Sequence, residues 1–432
     1  MAEIKPFRAW RYNDQLNKKI EKLTSPLFDV VSHKQREALY SDPNNSIHIS
    51  VPLGDDSANT AKKTLENWKS EGIIRQDELP GIYVYYQHFS LPGIDKEYCR
   101  KGFICNIKAY DWDENIVLRH ENTMPHSVSD RAEILNATKM NVSATHGLYT
   151  DAEKRIEKYM DESMLSPIYS TEDYQGVKDV LSVIHDHNVI KDIMSILKDK
   201  QVILADGHHR YEGALAHKNK CASQNPNHTG KEPYNFHMMY FTNTESEDLR
   251  ILPTHRLVKN IENFNSTNFL IKISEYFHIK PVENTSDINE IILGKENAFG
   301  LMIGEEACKI RLKEGVWKTI DWNFPDAVKK LDLTVMHYFV FEKILGIFRD
   351  EQLGSDKITF ERNFTTCMSK VLKEEAQIAL ITNEISMDTV KKVCYSGTTM
   401  PQKSTYFYPK TICGYLFGSI DETETTDVDL IY

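Results

Sequence analysis

The chain has no run of eighteen apolar residues, and its first residues, Met1-Ala2-Glu3-Ile4-Lys5-Pro6, carry no apolar stretch. The sequence therefore offers neither a membrane-spanning helix nor a secretory signal, and the cytoplasm is the expected location. Positive charge is also short: 52 Lys+Arg stand against 63 Asp+Glu, for a formal charge of -11. No global field would gather a DNA backbone, although a local basic patch remains able to hold phosphate. Cysteine shows no pattern. Cys99, Cys105, Cys221, Cys308, Cys367, Cys394 and Cys413 are scattered, none at the two-residue spacing of zinc or redox motifs, and they read as buried or idle thiols. The Walker phosphate loop, the dinucleotide glycine fingerprint and the serine-hydrolase elbow are absent as strict patterns, which removes the commonest nucleotide and hydrolase folds.

What is present is ample apolar material. With 432 residues, 41% of them hydrophobic and 10% aromatic, the chain can bury a large core in two or three structural units. Ile4 to Arg11 reads as an extended segment pinned by Phe7 and Trp10, followed by a turn at Ser25-Pro26. Gln35 to Tyr40 reads as a helix, and the alternation of Ile47, Ile49 and Val51 predicts a strand over Ser46–Val51. A helix over Asn59–Trp68 and strands over Gly81–Phe89 and Gly102–Tyr110 follow, then helices over Asp130–Met140, Asp151–Met160 and Val177–Lys198. Further strands are expected at Asn235–Thr242, Arg250–Leu252, Ala298–Ile303 and Ile378–Thr382, with helices at Leu333–Ile344 and Met387–Cys394. The fold class is α+β (mixed α/β), with an N-terminal and central region over 1–260, an asparagine-rich linker, and a C-terminal α/β region over 261–432.

The clearest junction is Gln201-Val202-Ile203-Leu204-Ala205, a buried-strand run ending in Asp206-Gly207-His208-His209-Arg210 before helical composition resumes at Tyr211. A strand, a glycine turn and a helix in that order place backbone N–H groups and a helix N-terminus where an anion can sit. Gly207 permits close backbone approach, Arg210 adds a bidentate cation, and Asp206, His208 and His209 can move protons or hold a metal. A plain turn with capping residues is the alternative.

Three further clusters carry chemistry. Arg119-His120-Glu121-Asn122-Thr123 offers Glu121 as a general base or metal ligand, or else an ordinary surface turn. Thr254-His255-Arg256 offers a second phosphate clamp, or else a buried histidine beside a structural arginine. Met400 to Lys410 brings Lys403, Ser404 and Lys410 together with three aromatics, as a loop that meets phosphate oxygens while a ring stacks a base, or as a half-buried strand. His185-Asp186-His187 looks like a metal tripod, but adjacent residues on a helix point apart, and it is assigned to a solvated face or helix end.

Ile4-Lys5-Pro6-Phe7-Arg8-Ala9, Ser25-Pro26-Leu27-Phe28-Asp29-Val30, Arg119-His120-Glu121, Leu204 to Tyr211, Pro253-Thr254-His255-Arg256 and Met400 to Lys410 occur together and in order. In this the chain resembles the domain-of-unknown-function family numbered 1015, over nearly its whole length, with Leu27 departing from the expected proline or small residue. The resemblance implies a ParB/sulfiredoxin-like core, and the Asp206–Ala214 stretch is similar to the phosphate-binding turn of that superfamily. One branch, the free-serine kinases, shows a similar turn and uses a glutamate as base, which implies phosphotransfer involving serine or phosphoserine with ATP or ADP and magnesium. On that reading Glu121, Asp206, His208 and His209 are catalytic, while Gly207, Arg210, His255, Arg256, Lys403, Ser404 and Lys410 bind the phosphorylated ligands. The alternatives are a ParB-like nucleotide-gated or nucleic-acid-binding switch, against which the net charge speaks, and a phosphoserine phosphatase.

Overall fold

A computed structural model of the chain describes residues 2–27, 33–352, 354–401 and 403–425. The segment Phe28-Asp29-Val30 of the family resemblance, and Gln402 of the Met400–Lys410 stretch, lie outside the described residues. The chain divides into two compact units. Unit 1 comprises the described residues of Met1–Arg119, Thr123–Arg250 and Pro409–Tyr432, and unit 2 comprises His120–Asn122 and Ile251–Tyr408. The division is interleaved along the chain, where the sequence suggested one linear break after residue 260.

Unit 1 is built on a nine-stranded mixed sheet. Its strands run in the spatial order Tyr169–Glu172, Lys178–Ile184, Ile82–Ser90, Glu97–Lys108, Phe236–Asn243, Thr145–Tyr149, Val202–Asp206 and Val117–Arg119, with Ile4–Lys5 paired to Glu97–Lys108. Pairing is antiparallel except where Phe236–Asn243 meets Thr145–Tyr149 and Val202–Asp206 meets Val117–Arg119. Inner strands such as Ile82–Ser90 and Phe236–Asn243 are buried on both faces and mostly apolar, as a sheet covered on two sides requires. Val84, Phe103, Met239 and Phe241 turn to one face, with Ile190, Ile193 and Leu197 of helix His187–Lys198. Tyr83, Tyr85, Ile104, Met238 and Tyr240 turn to the other, with Leu65 and Trp68 of helix Ser57–Ser70.

Unit 2 carries a six-stranded antiparallel sheet in the order Phe277–Pro281, Glu306–Leu312, Ala298–Ile303, Ile378–Ile381, His255–Val258 and Ile358–Glu361. Alternation sorts Val258, Phe299, Leu301, Ile378 and Leu380 into one core cluster and Leu257, Met302, Ala379 and Ile381 into another. The first cluster packs against a nine-residue π-helix, Met336–Ile344. The mixed α+β class read from composition and periodicity is the class observed.

Several local expectations change. Ser46–Val51 is not a strand: Ile47–Ser50 forms a short helix, because the Asn45 side chain accepts from the Ile47 N–H at 2.9 Å and turns the backbone there. The alternation of Ile47 and Ile49 reflects burial of both in that turn. Val177–Lys198 splits into strand Lys178–Ile184 and helix His187–Lys198, capped by Asp186, which accepts from the N–H groups of Asn188 and Val189. The triplet His185-Asp186-His187 thus sits at a helix start. Ser25–Pro26 is a short strand paired with Ile412–Cys413, the helix expected from Asp130 begins at Pro125, and the one expected from Asp151 begins at Glu157. All seven cysteines are free thiols. Among the described residues no helix is long and apolar enough to cross a membrane.

Candidate functional site

Strand Val202–Asp206 ends at the predicted turn, and helix His208–Gln224 begins at once beyond it. Gly207 adopts φ +87°, and a Cβ there would stand 2.7 Å from Thr145 Cγ2 and 2.9 Å from Arg210 Nη2, so both conformation and space demand glycine. The first N–H groups of a helix have no acceptor within it, and the helix dipole adds partial positive charge at the same end.

Asp206 is the hub of this end of unit 1. Its Oδ2 accepts from Arg210 Nη2 at 2.9 Å and its Oδ1 from Lys410 Nζ. Burial by itself would raise the Asp206 carboxyl, but the Lys410 and Arg210 charges outweigh it and hold the group well below the usual carboxylate range. Arg210 also donates from Nη1 to Ser143 Oγ at 2.9 Å and to the Ala144 carbonyl at 2.6 Å. His209 Nε2 accepts from the Met124 N–H at 3.1 Å, which anchors the start of helix Pro125–Thr138, and His208 is buried.

Beneath Lys410 lies a polar network that the sequence reading missed. Arg100 is fully buried on strand Glu97–Lys108 and donates from Nη2 to the Gln87 side chain and to the Pro409 carbonyl. Among the described residues its Nε and Nη1 find no hydrogen-bond partner. Gln87 donates to the Lys410 carbonyl at 3.0 Å and to Asp179 at 2.8 Å, and Tyr85 donates to the same Asp179 oxygen. Burial pushes the Asp179 carboxyl up to about 7, against the Tyr85 and Gln87 hydrogen bonds that favour its charge. His146 and His237 stand on neighbouring strands. Burial, then the Arg100 charge, holds His146 well below its ordinary value, while burial with Arg210 brings His237 to about 3. Both are neutral imidazoles. The one signal available in the sequence was polar residues on interior positions of strands that are otherwise apolar.

The remaining predicted residues lie in unit 2. Glu121 Oε1 accepts from the Ser404 N–H at 3.1 Å and lies 3.9 Å from His120 Nε2, which contacts Thr405 Oγ1 at 2.7 Å. The Met400 N–H donates to the His120 carbonyl at 2.8 Å. Ser404 is buried and donates to the Pro401 carbonyl, whereas Lys403 is exposed with φ +55°. Arg256 is fully buried on strand His255–Val258 and donates to the carbonyls of Thr254 and Lys403. Burial lowers it to about 9, partly countered by Glu121. His255 Nδ1 accepts from the Thr382 N–H at 3.2 Å, and burial with the Arg256 charge lowers it to about 4. The structure thus brings Asp206, Gly207, His208, His209, Arg210 and Lys410 together in unit 1, and Glu121, His255, Arg256, Lys403 and Ser404 together in unit 2. Among the described residues no group of three or more His, Cys, Asp or Glu stands ready for a metal.

No curated protein matches this chain. Among solved structures it is similar to a conserved hypothetical protein from Pyrococcus furiosus, at 10% identity and a TM-score of 0.36, over 71% of this chain and 93% of that one. A free serine kinase variant in complex with AMP gives 13% and 0.38 over 72% and 92%, and C-terminally truncated SbnI from Staphylococcus aureus gives 10% and 0.37 over 76% and 92%. The model of the family described as protein of unknown function DUF1015 matches residues 4–334, and the chain belongs to that family.

Proposed function

We propose that unit 1 binds a phosphate-bearing small molecule at the start of helix His208–Gln224, and that the chain is a nucleotide-dependent phosphotransferase acting on serine or phosphoserine. The observation that supports the phosphate part is the meeting of two cations at a helix N-terminus. Arg210 and Lys410 converge on the single carboxylate of Asp206 at a helix N-terminus, with Arg100 buried beneath them. Phosphate matches both the amides and the guanidinium. The serine part rests on the likeness of the Asp206–Arg210 turn to that of the free-serine kinases.

Asp206, ionised and tied to two cations, is read as the group that aims Arg210 and Lys410, not as a proton acceptor. Glu121, whose Oε1 accepts the Ser404 N–H and stands 3.9 Å from His120 Nε2, is read as a general base. Arg256, which donates to the Lys403 carbonyl, is read as a support of the Met400–Lys410 stretch, and His255, which accepts from the Thr382 N–H, as a support of the strand beside it. Magnesium would rest mainly on nucleotide phosphates and a single carboxylate, supplying charge neutralisation.

The test is a magnesium-supplemented assay with phosphoserine and ADP, and with serine and ATP or ADP. Product formation that falls about 100-fold in Lys410→Gln and in Arg210→Ala is expected for donors aimed at transferring phosphate. Silence in every pairing from folded protein would overturn the serine reading. Phosphate release from phosphoserine without nucleotide would make the chain a phosphatase, and salt-sensitive retention on heparin without turnover would favour a nucleic-acid switch.

A further inference from the structure

Unit 2 contains a cavity of 380 Å³ that none of the predicted site residues lines, within the size range of small-molecule sites. Its walls include Trp322, Phe324, Phe360 and Met400. The Trp322 indole is fixed by donating from Nε1 to Glu342 Oε2 at 3.1 Å, and the Arg349 backbone N–H meets the same oxygen at 3.2 Å. The Arg349 guanidinium lies 5.2 Å from the Trp322 ring centroid and 4.5 Å from that of Phe324. It forms no ion pair with a described carboxylate, although Asp350 follows it in the lining.

His337 lines the same cavity from the first turn of the π-helix, a rare form of helix that is frequent at functional sites. Its tautomer follows from its neighbours. The Gln352 amide nitrogen donates to the carbonyls of His337 at 3.1 Å and Ile347 at 2.8 Å, so the Gln352 oxygen is the atom 2.8 Å from His337 Nδ1. An oxygen there accepts, so Nδ1 carries the proton and Nε2 carries a lone pair. That Nε2 is buried and among the described residues has no hydrogen-bond partner, on a residue only 4% exposed. Burial, reinforced by the Arg256 charge, lowers His337 to about 3, so the ring stays neutral. A buried acceptor without a donor is costly, and a ligand N–H is the chemistry that would satisfy it.

Planar apolar walls, a lone pair among them, a carboxylate and an exposed arginine describe the parts of one ligand class. We infer that unit 2 binds a nucleoside monophosphate, its base between the aromatic walls with an N–H toward His337, its hydroxyls toward Asp350 and its phosphate toward Arg349. This site is separate from the phosphate turn of unit 1 and does not depend on it.

The test is calorimetric titration of the full chain with AMP, GMP, CMP and UMP, with adenosine and inorganic phosphate as controls. Arg349 and Phe360 have exposed side chains, so Arg349→Ala and Phe360→Ser leave the fold intact, which thermal melting checks. At least one nucleotide is expected to bind, about 10-fold more weakly in each variant, as loss of a charge contact or a stacking ring entails. Binding is expected to persist in Arg210→Ala, and adenosine to bind more weakly than AMP. Absence of binding by all four up to roughly 10 mM, the regime of the weakest ligands, would overturn the proposal. So would binding indifferent to Arg349→Ala and Phe360→Ser, or binding abolished by Arg210→Ala, which would assign it to unit 1.

Discussion

Asp206 in unit 1 and Glu121 in unit 2 are both acidic residues beside arginines, yet their surroundings differ in kind. Asp206 meets two cations at hydrogen-bond distance, and one of them is locked in turn by Ser143 and Ala144. Glu121 accepts one amide N–H from Ser404, while the arginine of its unit, Arg256, spends its donors on the carbonyls of Thr254 and Lys403. Two carboxylates thus stand in different settings: the first is tied to two cations, and the second holds a backbone amide.

The largest effect that would sharpen this contrast is on stability. Arg210→Met with Lys410→Met strips Asp206 of both cations and is expected to cost about 3–5 kcal/mol, the range for a buried charge left unpaired. Adding Asp206→Asn is expected to recover much of that. Urea-unfolding midpoints check both, and a loss below about 1 kcal/mol, typical of exposed pairs, would break the claim that the network is locked.

The next effect is on pH dependence. His237, His255 and His337 are neutral in the fold, with values near 3, 4 and 3 that burial sets in each case. The unfolded chain takes up their protons below about pH 6.5, so their stabilising contribution is full above that pH and is lost as pH falls toward 3–4. Asp179 of unit 1, near 7, and Asp332 of unit 2, near 6, act in the opposite sense, their protonated forms being favoured by burial. Melting temperature is therefore expected to drop between pH 6.5 and 4, and more steeply in Asp179→Asn. A flat profile would contradict the neutral histidines.

The smallest effect belongs to Glu121→Gln. An amide oxygen can still accept from Ser404, so stability should change by less than about 1 kcal/mol while turnover disappears. A large loss of stability would place Glu121 with Asp206 as a structural anion.

The strand, glycine and helix around Asp206 were legible because each signal is local: an apolar run, a residue that tolerates positive φ, and resumed helical composition. The strands Ile82–Ser90 and Phe236–Asn243 were legible from β-branched and aromatic content. Ile47–Ser50 was misread because a two-residue alternation in four residues fits a buried turn as well as a strand, and the Asn45 side chain decided between them. Lys410 was foreseen on a phosphate and is found on Asp206, a partner 204 residues away that no local pattern announces. Arg100, Gln87 and Asp179 escaped notice for a related reason: they meet only when three strands align.

The interleaving of the two units bears on biosynthesis. Unit 1 is interrupted after Arg250 and resumes at Pro409, so its carboxylate hub is made long before the lysine that completes it. On a ribosome adding roughly 5–20 residues per second, Asp206 waits about 10–40 s for Lys410, while the whole of residues 251–408 emerges. Nascent unit 1 passes that interval with a buried anion half paired and with the Pro409 carbonyl still missing from Arg100. Closing of the charge network is thus a late event in the synthesis of each molecule.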